Sequence, residues 1–597
     1  MSVVTVVNAI HIVPRLIARS HRVHPPPPGL LCNARVRFFG QSKKLSAAMS
    51  TRVRSPTSDP EVSAPVEKKM RLEEHVLDES NVTKEDSVLV VPGPSKKASK
   101  SAKRKQKRVL PEPYSSEDVL WRDIVALLGD DTVEHALQQG TQWESPFDFR
   151  EELEVEVSKL SSNGDAMARS PAPHAPWVIV APFALPGERI RVRVYRSSRL
   201  HSFADLLEVV SPNLDLRDDS RAKCRYFGQC SGCQYQMLSY DTQLGIKRDV
   251  VIKAYENFSN LPKESIPDVL PTIASPLQYG YRTKITPHFE APPKKARKEA
   301  ESGSSNSTEK PGWLKIGFNE IGKRTVLDIE ECPIATPVLN AAYGPIREDV
   351  IKNIWGYKKG VSLLLRDSIE HMPSDISSIP GPEEEKHICV TNHKETVRER
   401  VDSTYFEFPG HSFFQNNNSV LVPLTSYVKD AIFPSSKSSG PTHLVDAYCG
   451  SGLFSLMLAP HFDTVAGIEL SAESIKSATA NAIINGLPQG KCSFLAGDAA
   501  NIFSTVSHFP PDKTALIIDP PRKGSDEPFI EQLVRFACST VIYVSCNVHT
   551  QARDVGMIME RMEREGGGKR YVLESLRGFD LFPQTAHVES VAVLRLV

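Results

Sequence analysis

Between residue 403 and the end of the chain, short runs rich in β-branched residues alternate with helical periodicity, and this rhythm restricts the fold more than any other feature. "HLVDA", "TVAGIEL", "ALIID" and "TVIYVS" read as buried strands, with helical stretches such as "SAESIKSATANAIINGL" between them. The pattern predicts a doubly wound α/β domain over 403–597, and open α/β sheets bind ligands beyond the carboxyl ends of their strands. In "HLVDAYCGSGLFSLMLA", Gly450 and Gly452 permit a tight turn, and a helix near Leu453 offers free amides. Ser455 stands where a dinucleotide fingerprint needs its third glycine, so a pyrophosphate is disfavoured. Glu469 ends the second strand, seventeen residues after Gly452, where an acid accepts hydrogens from both hydroxyls of a ribose. Asp498 and Asp519 follow later strands. Each acid alone reads as an ordinary loop residue. Together on one edge they suit a nucleoside without pyrophosphate, and S-adenosylmethionine is the obvious one.

"YVSCN" releases a cysteine, Cys546, at the end of a buried strand, where inert filling is the ordinary alternative. A pyrimidine carbon-5 becomes nucleophilic only after something adds at carbon-6, and a thiolate can do so if a base later removes the carbon-5 proton. The last strand, if antiparallel, starts on the same edge, so "TAHVES" offers His587 and Glu589 as bases. Upstream, "GHSFFQNNN" offers Phe413 as a stacking face, although core filling is the commoner fate of phenylalanine, and Gln415 as an amide contact.

In that order, "FFQNN", "DAYCGSG", "DPPRKG", "YVSCN" and "FPQTAHVESV" resemble the motifs of the uracil-5 RNA methyltransferases, over roughly residues 145–597. The resemblance implies a Rossmann-like, S-adenosylmethionine-dependent methyltransferase domain that makes 5-methyluridine through a covalent cysteine adduct. It casts Cys546 as nucleophile and Glu589 as base. Gln415, Tyr448, Glu469 and Asp519 would bind the cofactor, beside Gly450, Gly452 and Asp498, and Arg522 would hold the target pyrimidine or its phosphate. The implied substrate is the T-loop uridine, position 54, of tRNA, with rRNA as runner-up. RNA cytosine-5 enzymes usually carry a cysteine just after the motif-four proline, and "DPPRKG" has none, so uracil is favoured. A non-catalytic RNA-binding or folding factor on the same scaffold is the rival class; such a protein needs neither thiol nor base.

The rest of the chain is organised around this domain. Residues 1–113 are rich in proline, serine and charge without periodicity and read as a disordered tail. "SSEDVLWRDIVALLG" predicts a short amphipathic helix. Strands separated by glycine and proline turns predict a small OB-like β-barrel at 145–212, whose "NGDAMA" turn and "ALPGERIRVRV" strand resemble the RNA-touching TRAM domain, although such barrels also serve as mere spacers. A mixed α/β central domain is drawn at 221–400, with a low-complexity surface loop at about 290–312. "CRYFGQCSGCQYQ" places Cys224, Cys230 and Cys233 as C-x5-C-x2-C, and "DIEECPIA" adds Cys332. Three plus one suits an iron–sulfur cluster better than the paired spacing of zinc sites, with zinc and unliganded thiols left open. The same positions match the [4Fe-4S] motif of part of the resembled family, with any cluster remote from methyl transfer.

Acidic and basic residues balance at 72 each, so any nucleic-acid footprint is local. Ten cysteines in 597 residues predict reduced thiols and an intracellular protein, and no segment reads as a membrane span. A monomer is expected. The arginine-rich, acid-free opening resembles a mitochondrial presequence, and eight basic residues between Lys96 and Arg108 read as a nuclear-localisation or nucleic-acid patch, or as a solvated tail. Initiation at Met49 would remove the first signal and keep the second, giving mitochondrial and nuclear or cytoplasmic forms.

Overall fold

The computed structural model describes residues 110–301, 309–371, 385–435, 440–497 and 502–597. The arginine-rich opening, Met49, the basic run Lys96–Arg108 and Asp498 lie outside the described residues.

One sheet organises the C-terminal part. Its strands are β1 (Val269–Ile273), β2 (His443–Ala447), β3 (Thr464–Glu469), β4 (Cys492–Ala496), β5 (Thr514–Ile518), β6 (Thr540–Ser545), β7 (Tyr571–Phe579) and β8 (Glu589–Leu596). They lie in the order β4-β3-β2-β5-β6-β8-β7-β1. Strands β2 to β6 run parallel, while β8 is antiparallel to both β6 and β7. The apolar runs are continuous because both faces are covered. Val541 and Tyr543 enter one core with Ile530 and Val555, and Ile542 and Val544 enter the other with Leu424 and Phe454. Each such aliphatic side chain contributes about 1.5–3 kcal/mol on burial.

The helix Tyr240–Phe258 and strand β1, which lie within the stretch 221–400 drawn as the central domain, pack with this sheet. Val250, Val251, Ala254, Tyr255 and Phe258 give the helix an apolar face, and its partners are the helix Val548–Glu565 and the sheet. The approach is close: a Cβ on Gly556 would stand 1.8 Å from the Ser259 carbonyl oxygen.

Five strands from Glu152 to Ser211 close into a barrel filled by Val155, Val157, Trp177, Val180, Ile190 and Val192. The amphipathic helix forms at Ser116–Leu128, with Ser115 accepting from the Asp118 amide, and seats Leu120, Ile124 and Leu127 on the barrel. The barrel's first turn reaches the C-terminal body, because Gly164, at φ +91°, comes so near that an added Cβ would lie 2.6 Å from Ala586 Cβ. Small antiparallel sheets and the helix Pro337–Asn353 form the remaining centre. In the stretch expected as a loop, Lys294–Glu301 is helical, as its run of strong helix formers allows.

Candidate active site

Cys546 follows β6 by one residue. The last residues paired between β6 and β8 are Ser545 and Ser590, and continuing that register sets Cys546 opposite Glu589. Residues so opposed carry side chains ~5 Å apart. Gln551 fixes the pairing from behind: its Nε2 donates to the carbonyls of Tyr543 (2.7 Å) and Ser590 (3.1 Å), and its Oε1 accepts from Ser590 Oγ (2.6 Å). The turn after Cys546 is equally tied. Asn547 caps the helix Val548–Glu565, and Asn547 Nδ2 and Thr550 Oγ1 both donate to the Arg522 carbonyl, at 2.9 and 3.1 Å. The Asp519-Pro-Pro-Arg522 turn is thereby bound to the turn that carries Cys546.

The electrostatics follow from burial and crowding. Burial, then the negative charges of Glu589 and Asp519, push the Cys546 thiol up to about 11, and Arg522 opposes them through its charge and a hydrogen bond. Burial and Asp519 raise the Glu589 carboxyl to about 8, again against Arg522. Glu589 is 4% exposed, and its Oε2 has no hydrogen-bond partner. His587, the rival base, is depressed to about 4 by burial and by Arg522, Lys247 and Arg282. At neutral pH that imidazole is uncharged and only weakly basic, whereas the Glu589 carboxyl, once ionised, is the stronger proton acceptor.

The neighbouring strand ends form the proposed cofactor edge. Tyr448, Gly450 and Gly452 all adopt left-handed backbone conformations, with φ of 64°, 55° and 93°. For Tyr448 this is a strained choice, of the kind that gathers at ligand sites. A Cβ on Gly450 would meet only open space. Its amide donates to Glu469 Oε2 (3.3 Å), the Ser471 amide donates to Oε1 (2.9 Å), and each carboxylate oxygen keeps a further acceptor site. An acid beside an open glycine turn fits a nucleoside's hydroxyls. Asp519, half-buried at the end of β5, is raised to about 7 by burial and by Asp446. Asp446 lies under the turn and accepts from the Ser455 amide (2.8 Å) and hydroxyl (2.6 Å). In the "FFQNN" turn Gln415 is buried while Phe413 is 71% exposed. Asn417 anchors that turn through its Nδ2, which donates to the Leu581 carbonyl at 3.1 Å.

A cleft of about 930 Å³ opens on Cys546 and His587. Among the described residues its walls carry Arg282, Arg522, Lys523 and Arg553 against one carboxylate, Glu112. Asn163 of the barrel turn and Tyr114 also line the cleft. Asp446, Asn481, Gln551 and Arg282 were not found by sequence reasoning; each acts through a partner that no local pattern announces.

Cys224, Cys230, Cys233 and Cys332 line one cavity of about 360 Å³, and all are free of disulfides. Burial pushes the Cys233 thiol up to about 12 and the Cys332 thiol to about 11. Among the described residues no group of three or more histidine, cysteine or acidic side chains is spaced to hold one metal ion. The cavity shares Ser231, Gly232 and Arg282 with the cleft, so it lies beside the proposed reaction site rather than remote from it. No helix among the described residues is long and apolar enough to cross a membrane.

Comparison with known proteins shows the family. A family model described as tRNA (Uracil-5-)-methyltransferase matches residues 351–596. A tRNA (uracil(54)-C(5))-methyltransferase of Schizosaccharomyces pombe is 42% identical over 506 residues, covering 84% of this chain and 87% of the relative. Its namesake in Saccharomyces cerevisiae is 38% identical, covering 75% and 74%. The solved Pyrococcus abyssi tRNA (uracil-54, C5)-methyltransferase, in complex with S-adenosyl-L-homocysteine, is 24% identical, covers 74% of this chain and all of its own, and matches the fold with a TM-score of 0.50. The chain belongs to the tRNA (uracil-5-)-methyltransferase family.

Proposed function

We propose that the protein methylates carbon-5 of a uridine in RNA, and that this uridine is position 54 of tRNA, as the names of its relatives state for them. S-adenosylmethionine would be held by Tyr448, Glu469, Asp519 and Gln415 around the glycine turn, and would supply a methyl group from a cationic sulfur that is left as a neutral thioether. The chain supplies the rest. Cys546 Sγ, as thiolate, forms a bond to carbon-6 of the pyrimidine, and the electron pair moved to carbon-5 takes the methyl. Glu589 then removes the carbon-5 proton, the carbon-5–carbon-6 double bond reforms, and the sulfur leaves as thiolate. Arg522 lowers the thiol's resistance to ionisation and lies where the pyrimidine or its phosphate arrives. Bringing the uridine out of its stack costs a few kcal/mol. The arginines and lysine of the cleft offset this through the phosphates, while Phe413 stands exposed for stacking.

The observation that carries this reading is the opposition of thiol and carboxyl across β6 and β8, on the edge that also bears Glu469 and Asp519. A tRNA transcript containing 5-fluorouridine tests it, because fluorine cannot leave as a proton and the adduct is trapped. The native protein should form a denaturant-stable RNA complex and Cys546→Ala none; methylation that survives Cys546→Ala sinks the mechanism. Mapping the methylated position in tRNA and rRNA transcripts separates the two substrates.

Two finer assignments belong to the same reading. The barrel is a TRAM-type RNA-contacting module, supported by its turn in the cleft wall. The four cysteines would hold a [4Fe-4S] cluster of structural role. Four free thiols lining one cavity are the donor type such a cluster takes, although as described they are not spaced to hold one metal ion. Anaerobic purification yielding a colourless, iron-free protein would remove the cluster.

A further inference from the structure

The segment Asp580–His587 joins β7 to β8 and delivers the chain to Glu589. A buried polar network holds it, supplied by residues more than 300 positions earlier. The Gln584 amide N–H donates to Gln243 Oε1 at 3.0 Å, and Gln243 Nε2 donates back to Gln584 Oε1 at 3.1 Å. The Gln584 carbonyl accepts from the amides of Gln234 and Tyr235, at 2.9 and 3.0 Å. The Ala586 amide donates to Gln234 Oε1 at 3.2 Å, and Tyr281 donates its hydroxyl to the Pro583 carbonyl at 3.0 Å. Lys247, fully buried, pairs with Asp580 and donates to the Phe582 carbonyl at 3.0 Å.

At the centre of this network Gln584 adopts a φ of +72° while only 2% exposed. A residue with a side chain keeps such a conformation only where its surroundings over-determine it. Gln243, 1% exposed, is the side chain that grips Gln584 from both directions, and its amide also donates to the carbonyls of Tyr235 and Leu238, at 3.2 and 3.4 Å. Five residues after Gln584 the chain must enter β8 in the register that sets Glu589 against Cys546.

We propose that Gln243 is a positioning residue for methyl transfer: by clamping Gln584 in its left-handed turn it fixes how the chain enters β8, and so where the Glu589 carboxylate stands. This rests on Cys546 as nucleophile and Glu589 as base. The proposal separates from a purely structural role by the step it touches. Sulfur addition and methyl transfer need the thiol and the methyl donor, whereas release of the product needs the carboxylate to take the carbon-5 proton. Until that proton goes, the carbon–sulfur bond cannot reopen.

The test uses the full chain with Gln243→Leu, and Gln243→Asn should the first variant not fold, since asparagine keeps a polar group but is one methylene short of the pair. With an ordinary uridine transcript, turnover falls about tenfold or more and a denaturant-stable adduct, absent from the native protein, accumulates. The RNA KM falls along with kcat, so that kcat/KM stays within about twofold, as expected when the slowed step follows the irreversible methyl transfer. Trapping by a 5-fluorouridine transcript proceeds as in the native protein, because it requires no proton removal. Unchanged turnover, or joint loss of turnover and fluorouridine trapping, overturns the proposal. A Cys546→Ala protein that still traps the analogue overturns instead the reading of the nucleophile on which the proposal stands.

Discussion

Glu589 is the residue with the sharpest consequences. Its carboxyl must be ionised to take a proton, and burial with Asp519 holds it at about 8, so kcat should rise with pH through that value. Glu589→Gln should lower turnover about 10²–10⁴-fold, abolish that rise and accumulate the uridine adduct; a pH–rate series with denaturing gels checks all three. Stability moves the other way. A carboxyl raised from 4.5 to about 8 in the folded state stabilises it fully below pH 4.5, and this is lost as pH rises through about 8. Glu589→Gln should therefore raise the thermal midpoint above pH 8 relative to its effect near pH 4. Cys546 was legible because a thiol at a strand's carboxyl end is an unusual release. Choosing Glu589 over His587 needed the resemblance; the structure supplies the physical reason in the opposite pKa directions of the two groups.

The strands of the C-terminal sheet were readable from their burial pattern, and the helix Ala472–Ile484 from its serine cap and the glycine that ends it. That helix also holds a residue no periodicity reveals. Asn481, fully buried, donates to the Ser451 carbonyl at 3.1 Å and accepts from the Glu407 amide at 2.8 Å, tying the glycine turn to a distant hairpin. Asn481→Leu should cost about 1–3 kcal/mol by orphaning those groups, measured by denaturant unfolding. The helix Tyr240–Phe258 shows a related limit of sequence reading: an apolar face declares burial without naming its partner, and here the partner lies about 300 residues onward. Lys247→Met should cost about 3–5 kcal/mol, because it strands Asp580 as a buried charge.

Across the whole molecule the charges cancel, yet the cleft gathers four cations against one carboxylate, so affinity for RNA is a local property. Replacing exposed Lys523 with alanine should weaken tRNA binding uniformly and reduce the slope of log affinity against log salt by about 1, with kcat little changed. Filter binding over a salt series reads this directly. Sequence composition could not show that footprint, because Arg282, Arg522, Lys523 and Arg553 assemble only when the fold brings their segments together.

The pairing of Ser545 with Ser590 also governs how such an enzyme can change over generations. Surface connections drift and lengthen freely, whereas a one-residue slip in a strand turns all its side chains to the other face. A lineage can therefore remodel the rim that chooses its RNA while the proposed thiol and carboxyl pair stays locked in the weave beneath it.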